Sequence, residues 1–181
     1  MMSLFGCEPD KMLSTMISSY AKIGNVDVVS QLYRLAKKEK WKVDNTVFSA
    51  LIKMYGKSGK YDQCLSVYSD MKVFRIKPNL RTYNNLLRAM GRGKRAWETK
   101  AIYEEMINSG ISPNHSNPTY RAILLAYCRR MYKVDALNVY KEMKKKGMGI
   151  GRFQYHMLLD MCADVGYADE AVEIFQDMKS S

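Results

Sequence analysis

The amino-acid sequence repeats with a period of 35 residues, and no other feature constrains the fold as much. Aligned positions carry apolar side chains in each repeat, with a single slip of two residues in the second half of the chain. The clearest series is Ile17, Ile52, Leu87, Leu124 and Leu159. The same steps relate Tyr33, Tyr68, Tyr103, Tyr140 and Phe175. A period of this length is typical of arrays in which each repeat is one supersecondary unit.

The repeat divides the chain into five units. Their predicted boundaries are 10–44, 45–79, 80–116, 117–151 and 152–181, and the fifth unit is truncated. The two-residue insertion falls near His115 and Ser116. Residues 1–9 are interpreted as the tail of an upstream unit, because Gly6-Cys7-Glu8-Pro9-Asp10 is similar to Ile76-Lys77-Pro78-Asn79. The sequence is therefore expected to be a segment of a longer array.

Each unit has the pattern helix, turn, helix. In unit two the apolar stripe of the first helix is Phe48, Leu51, Ile52 and Tyr55, at helical spacing. Glycines at 24, 59 and 166 are suited to end the first helices, and Pro78 cannot continue a second helix. Strand patterns are missing. The sequence therefore predicts an all-α fold in which stacked hairpins share one continuous core.

The formal net charge of +11, with a pI near 9.4, favours a polyanionic partner. Nucleic acid and anionic lipid both meet that description. The four cysteines are far apart and lack zinc-ligand spacing, so core packing is the expected role. No apolar run approaches the roughly 18 residues of a membrane span. The two histidines lie in different units, and no catalytic constellation, metal site or cofactor motif is found. The chain is not expected to be an enzyme.

Three motifs in unit three carry a family resemblance. They are Thr82-Tyr83-Asn84-Asn85-Leu86-Leu87, Ile102-Tyr103-Glu104-Glu105-Met106 and Gly110-Ile111-Ser112-Pro113-Asn114. With the 35-residue period they resemble the P-type pentatricopeptide repeat (PPR) family, from about residue 10 to the end. The resemblance implies a right-handed α-solenoid of about five hairpins. It also implies single-stranded RNA as the partner, with one base for each repeat.

The terminal segments are similar to those of chloroplast PPR proteins with a C-terminal SMR domain. The similar stretches are Phe5–Asp10, Met161–Asp164 and Glu173–Lys179. The sequence itself contains no SMR domain, so a fragment of such a protein is the expectation.

In the family, the fifth and last residues of a unit face one base. Carried over, the base-facing residues are Ser14 with Asp44, Ser49 with Asn79, and Asn84 with Asn114, where Ser116 is a rival because of the insertion. The family's rule assigns these pairs to G (a weak match), A, and C or U, from 5′ to 3′. Unit four has Arg121 and Gly151 and receives no base, and unit five offers only His156. Helix capping is the competing role for Ser and Asn at a first-helix start.

A series of cations supports nucleic acid independently. Lys22, Lys57, Arg92 and Arg129 occupy one aligned position, eight residues after the fifth residue of units one to four, and Asp164 ends the series. Aligned positions of a solenoid share one face, so these cations match an extended phosphate backbone. Complementing the helix dipole is the alternative explanation for basic residues at helix ends. Arg81, beside Asn84, is a further candidate for stacking on a base.

Sequence-selective RNA binding in organellar processing, stability or translation is therefore the leading hypothesis. The location implied by the resemblance is the chloroplast, with the mitochondrion as the alternative. A protein-binding or self-associating scaffold is the second hypothesis, and exposed terminal repeats would allow a homodimer. Binding to a membrane surface is the weakest, because the cations follow the repeat and not one amphipathic helix.

Overall fold

The described part of the protein, residues 9–112 and 117–181 of the computed structural model, contains ten α-helices and no strand. Two consecutive helices correspond to each predicted repeat, and the first helix begins at Pro9, one residue before the predicted start of the first repeat. The helices are α1 (Pro9–Ile23), α2 (Val26–Lys38), α3 (Asn45–Lys57), α4 (Tyr61–Val73), α5 (Leu80–Arg92), α6 (Ala96–Asn108), α7 (Asn117–Arg129), α8 (Lys133–Lys145), α9 (Arg152–Val165) and α10 (Ala168–Ser180). The all-α prediction is confirmed. The predicted insertion near His115 and Ser116 lies outside the described residues, as do residues 1–8 of the predicted upstream tail. The last residue of that tail, Pro9, begins α1.

The helices form two compact units that divide between Ala89 and Met90, within α5. In the first unit, α1 packs against its hairpin partner α2 and against α3, the first helix of the next repeat. In the second unit, α7 packs in the same way against α8 and α9. First helices therefore stack on first helices in both units, and α2, α4, α8 and α10 each pack against the first helix of their own hairpin.

The repeated apolar positions form the core of each unit. Ile17, Ile52, Leu87 and Leu124 are fully buried, as the 35-residue series predicts. In the tyrosine series, Tyr33, Tyr68 and Tyr140 are buried, Tyr103 is half-buried and Phe175 is 43% exposed. Phe175 lies in the last hairpin, where no described repeat packs over it. Burial of this series therefore depends on the following repeat.

The turn after each first helix has a residue with positive φ. Gly24, Gly59 and Gly166 have φ values of 85°, 73° and 74°, so the predicted glycine stops are present. The aligned residues of the third and fourth repeats are Lys94 and Met131, with φ of 56° and 57°. At Lys94 the turn is closed by a hydrogen bond of 2.9 Å from the Arg95 nitrogen to the Met90 oxygen. The turn geometry is thus kept even where a side chain makes positive φ costly.

An acidic residue near the end of the second helix links neighbouring repeats. The Tyr140 hydroxyl of α8 donates to Asp177 Oδ2 of α10 at 2.8 Å, and Lys144 Nζ lies 2.8 Å from Asp177 Oδ1. Tyr155 of α9 donates to the same Oδ2 at 2.8 Å. We call Asp177 and its aligned residues Asp70 and Glu142 the inter-repeat acids.

The other two inter-repeat acids accept equivalent hydrogen bonds. Asp70 Oδ2 accepts from the Tyr33 hydroxyl and from Lys37 Nζ, each at 2.9 Å. Glu142 accepts from Tyr103 at 3.1 Å, Tyr120 at 2.8 Å and Lys146 at 2.7 Å. One carboxylate thus satisfies several donors that the apolar core could not accommodate.

These contacts change the acidity of both partners. Burial, followed by the bond to Asp177, raises the pKa of Tyr140 above its usual range. Burial would also raise the pKa of Asp177, but the hydrogen bonds from Lys144, Tyr155 and Tyr140 outweigh it, and the pKa is lowered. Glu142 shows the same balance with Lys146, Tyr120 and Tyr103 as donors. Glu142 and Asp177 therefore remain ionised, with their tyrosine partners neutral, across the physiological range.

Candidate nucleic-acid interface

The fifth residues of the predicted units lie on the first helices. Ser14 on α1 and Asn84 on α5 are half-buried, whereas Arg121 on α7 and His156 on α9 are exposed. Ser49 on α3 is only 2% exposed. Ser49 and Asn84 are the fifth residues of their helices, too far from the start to cap them. The capping alternative therefore does not apply to these two side chains.

The last residues of units one and two cap the helix that follows. Asp44 Oδ1 accepts a hydrogen bond of 2.9 Å from the Val47 nitrogen at the start of α3. Asn79 Oδ1 accepts from the Thr82 nitrogen at 3.0 Å, at the start of α5. Both Asp44 and Asn79 are exposed. The capping alternative given for Ser and Asn thus applies to Asn79, and Asp44 has the same role, which the sequence interpretation did not assign to it.

A hydrogen-bonded chain joins the two predicted base-facing residues of unit two. The Thr82 hydroxyl donates to Asn79 Oδ1 at 3.1 Å, and the Ser49 Oγ lies 2.9 Å from Thr82 Oγ1. Since Thr82 has one hydroxyl proton, Ser49 is the donor in the second bond. The Ser49 hydroxyl is thus used inside the protein, and its contact with a base stays a prediction. Asn114 and Ser116 of unit three lie outside the described residues.

The predicted backbone cations are exposed in the last turns of the first helices. Lys22 and Lys57 belong to the first compact unit, and Arg92 and Arg129 to the second. Exposed cations there also complement the partial negative charge of a helix C-terminus. Position alone therefore does not separate the two explanations.

A groove in the first compact unit brings several of these residues together. It has a volume of about 300 Å³ and is formed by α1, α3 and the start of α5. Four of its lining side chains are cations, and none is acidic. The lining residues are Lys22, Lys53, Lys57, Arg81, Ser18, Ala21, Thr46, Ala50 and Met54. Lys53 was not predicted, although it precedes Lys57 by one helical turn and shares its face.

The described residues contain no group of three His, Cys, Asp or Glu side chains that could hold a metal ion. Nor is any helix in this part of the chain long and apolar enough to cross a membrane. Cys64, Cys128 and Cys162 are buried as thiols, and burial raises the pKa of Cys128 to about 12. Cys7 lies outside the described residues.

Comparison with known proteins identifies the repeats. A model described as the PPR repeat family matches residues 43–92. A model described as the PPR repeat matches residues 11–40, 81–111, 118–148 and 155–181. A chloroplastic pentatricopeptide repeat-containing protein of Arabidopsis thaliana is 47% identical over 47 residues, which are 26% of this chain and 7% of that protein. The match thus spans a small part of this relative.

Solved structures share the fold at low sequence identity. The PPR domain of Arabidopsis thaliana protein-only RNase P 1, in complex with tRNA, has a TM-score of 0.79 at 19% identity, with 96% of this chain and 90% of that chain covered. The maize protein PPR10 has a TM-score of 0.71 at 22% identity, with 93% and 24% covered. In complex with an 18-nt psaJ RNA element, PPR10 has a TM-score of 0.63 at 19% identity, with 97% and 29% covered. The fold is an all-α helical-repeat solenoid, and the chain belongs to the pentatricopeptide repeat family.

Proposed function

We propose that this chain binds single-stranded RNA along its first helices, one base for each repeat. The observation that carries the proposal is the groove lined by Lys22, Lys53, Lys57 and Arg81, which contains no acidic side chain. An extended phosphate backbone supplies the negative charge that such a groove lacks. Single-stranded nucleic acid is commonly held by this kind of basic groove.

The caps at Asp44 and Asn79 leave different hydrogen-bonding groups for a ligand. Asp44 uses Oδ1 in its cap, so its second carboxylate oxygen remains an acceptor. Asn79 uses its carbonyl oxygen in the cap, so its amide nitrogen remains a donor. An acceptor in unit one and a donor in unit two suit different base edges. This difference supports the assignment of different bases to the two units.

The relatives support the class of ligand and the compartment. Two similar structures are of proteins in complex with tRNA and with an 18-nt RNA element. The Arabidopsis thaliana relative is named chloroplastic. We therefore propose a role in organellar RNA processing, stability or translation, with the chloroplast as the favoured site and the mitochondrion as the alternative. Binding without catalysis is part of this proposal.

The proposal is tested by fluorescence anisotropy with a short labelled RNA that contains GAC, and with the same RNA in which those bases are changed. Titrations across a salt series give both affinity and the number of phosphate contacts. The double variant Lys53→Gln, Lys57→Gln is expected to reduce the magnitude of the salt slope by about 1.4, since each lost contact with a single strand is worth about 0.7.

The matched control is Lys38→Gln, Lys145→Gln, which removes two exposed lysines from second helices. The control is expected to lower the slope by much less. Absence of RNA binding at low salt would overturn the proposal and favour a protein scaffold. An equal effect of both variants would exclude the groove as the backbone site.

Self-association is the second candidate function, and one observation favours it. Val172 and Phe175 of α10 are 56% and 43% exposed, whereas Leu137 and Tyr140, which align with them on α8, are 8% and 1% exposed. A second copy could cover this apolar face. Light scattering over a concentration series tests the idea. A dimer that Phe175→Lys abolishes would support it, and a monomer at every concentration would exclude it.

A further inference from the structure

Gln154, on the first turn of α9, is fully buried, and neither polar atom of its carboxamide has a hydrogen-bond partner in the described part of the chain. It is the third residue of the fifth repeat, aligned with Thr82 of the third repeat. Buried polar groups are normally satisfied, because an unpaired amide loses its bonds to water without replacement. The burial of Gln154 therefore costs folding free energy that an apolar residue of similar size would not.

The carboxamide lies in the space that a side chain at residue 151 would take. A Cβ built on Gly151 would be 2.7 Å from Gln154 Oε1. In units one and two the aligned residues are Asp44 and Asn79, which cap the next helix with their side chains. Gly151 has no side-chain cap bond to α9. The amide of Gln154 thus occupies the place of the missing polar group.

The equivalent residues of the second and third repeats are in direct contact. Ser49, the fifth residue of its unit, is 2.9 Å from Thr82, which also bonds to Asn79. By alignment, Arg121 on α7 takes the place of Ser49 and Gln154 takes that of Thr82. The helices α7 and α9 pack together, and both belong to the second compact unit. By alignment, Arg121, Gly151 and Gln154 are the equivalents of Ser49, Asn79 and Thr82.

We propose that Gln154 replaces residue 151 as the second base-recognition side chain of the fourth repeat and acts with Arg121 on a guanine. This inference depends on the RNA binding proposed above. The guanidinium of Arg121 only donates, whereas the amide of Gln154 both donates and accepts. Guanine offers O6 and N7 as acceptors beside its N1 and N2 donors, so it satisfies both side chains together.

Access to the buried amide is provided by Gly151, which is itself exposed. With no Cβ at residue 151, rotation of the Gln154 side chain meets no side-chain obstruction there. A bound base would give the amide the hydrogen bonds that it lacks in the free protein. The free-energy cost in the unbound state would thus become a gain on binding.

The test uses four labelled RNAs of the form GACN, in which N is each of the four bases. The native chain is expected to prefer G at N by about tenfold. Gln154→Leu removes the unpaired amide, so it should reduce this preference to less than twofold while recognition of GAC is retained. The same variant should raise the urea midpoint of unfolding. Equal discrimination at N by the native chain and by Gln154→Leu, or a native preference for another base, would overturn the inference.

A second variant keeps the test decisive if Gln154→Leu does not fold. Gly151→Asn with Gln154→Thr rebuilds the Asn79 and Thr82 arrangement, and it should change the preferred base at N away from G. An unchanged preference for G would contradict the role of Gln154. Loss of all RNA binding by the native chain would instead refute the proposed function, and this inference with it. Native binding that distinguishes GAC but not N would refute this inference alone.

Discussion

The first helices and the second helices differ in what stays constant from repeat to repeat. The fifth residue of each repeat, which lies on the first helix, varies: Ser14, Ser49, Asn84, Arg121 and His156. The aligned residue of the second helix is acidic in four repeats: Asp70, Glu105, Glu142 and Asp177. Three of these acids bind tyrosine and lysine donors in the described contacts. Residues that hold repeats together are thus uniform, and residues that face a ligand in our proposal are not.

The largest expected effect comes from removing an inter-repeat acid. Glu142→Ala leaves the hydroxyls of Tyr103 and Tyr120 without their acceptor and Lys146 with only the Tyr120 oxygen, so we expect the free energy of unfolding to fall by about 2–3 kcal/mol. Urea unfolding followed by circular dichroism measures this loss. Glu104→Ala is the matched control. Glu104 is 58% exposed and its ion pair with Lys100 is long, at 3.9 Å, so the loss of stability should be slight. Equal losses would remove the distinction between linking and surface acids.

The dependence of stability on pH tests two of the same acids by protonation, without removing their side chains. The pKa values of Glu142 and Asp177 are lowered in the folded protein, so the unfolded chain binds protons first as the pH falls. Their stabilisation is present above the unfolded values of about 4 and is lost as the pH falls through the folded values. We therefore expect the urea midpoint to drop below about pH 4. This drop should be shallower in Glu142→Gln, and an identical profile would contradict the assignment.

The tyrosine partners give the corresponding effect at high pH. The pKa values of Tyr33 and Tyr140 are raised, mainly by burial, so their contribution is complete below the unfolded value of about 10. Stability should decline as the pH rises above that value. Absorbance near 295 nm would show tyrosine ionisation coinciding with unfolding, whereas early ionisation of the native protein would contradict the burial argument.

Two substitutions of Asp44 distinguish its role in helix capping from its predicted contact with a base. Asp44→Ala should cost about 1 kcal/mol, because the Val47 nitrogen loses its acceptor. Asp44→Asn should keep the cap, with a stability close to native, but replace the free acceptor by a donor. The preferred base of unit one should then change in the anisotropy assay. A changed stability with an unchanged preference would show that Asp44 is a structural residue only.

The smallest expected effect on stability should be the same after a first helix and after a second helix. Lys94 lies two residues after a first helix and Arg75 two residues after a second helix, with φ of 56° and 55°. Replacing either residue by Gly should raise the free energy of unfolding by about 0.5–1 kcal/mol, since glycine adopts positive φ freely. Thermal unfolding of the two variants measures this. A gain in stability at only one of the two positions would show that the turns after first and second helices also differ in backbone strain.

The sequence predicted the fold well because the repeat reports on burial directly. Ile17, Ile52, Leu87 and Leu124 are all fully buried, and the glycine stops have positive φ. The positive φ at Lys94 and Met131 follows from alignment and not from residue type, so a glycine pattern alone misses it. The exposed Phe175 shows that this position of the second helix is not buried by its own hairpin alone.

The site was harder to predict because one side chain can serve two purposes. Ser49 was assigned to a base, but its hydroxyl is bonded to Thr82 and is almost inaccessible. Asp44 and Asn79 are predicted to face bases, and each also caps the following helix. Gln154 was not considered, because its burial without a partner is a property of packing that periodicity does not reveal. Side-chain hydrogen bonds between repeats decide these cases.

The capping bonds of Asp44 and Asn79 have a consequence for how such a repeat could change its target. A residue that closes the start of the next helix must be short and must accept a hydrogen bond, which Asp, Asn, Ser and Thr do well. The residue types allowed at this position are therefore limited by folding, whatever ligand is bound. Gly151 is not one of these residue types, and the side chain of Gln154 fills the space that a side chain at residue 151 would take. Redesign of a repeat would then have to vary two positions together, the last residue of the repeat and the third residue of the next one.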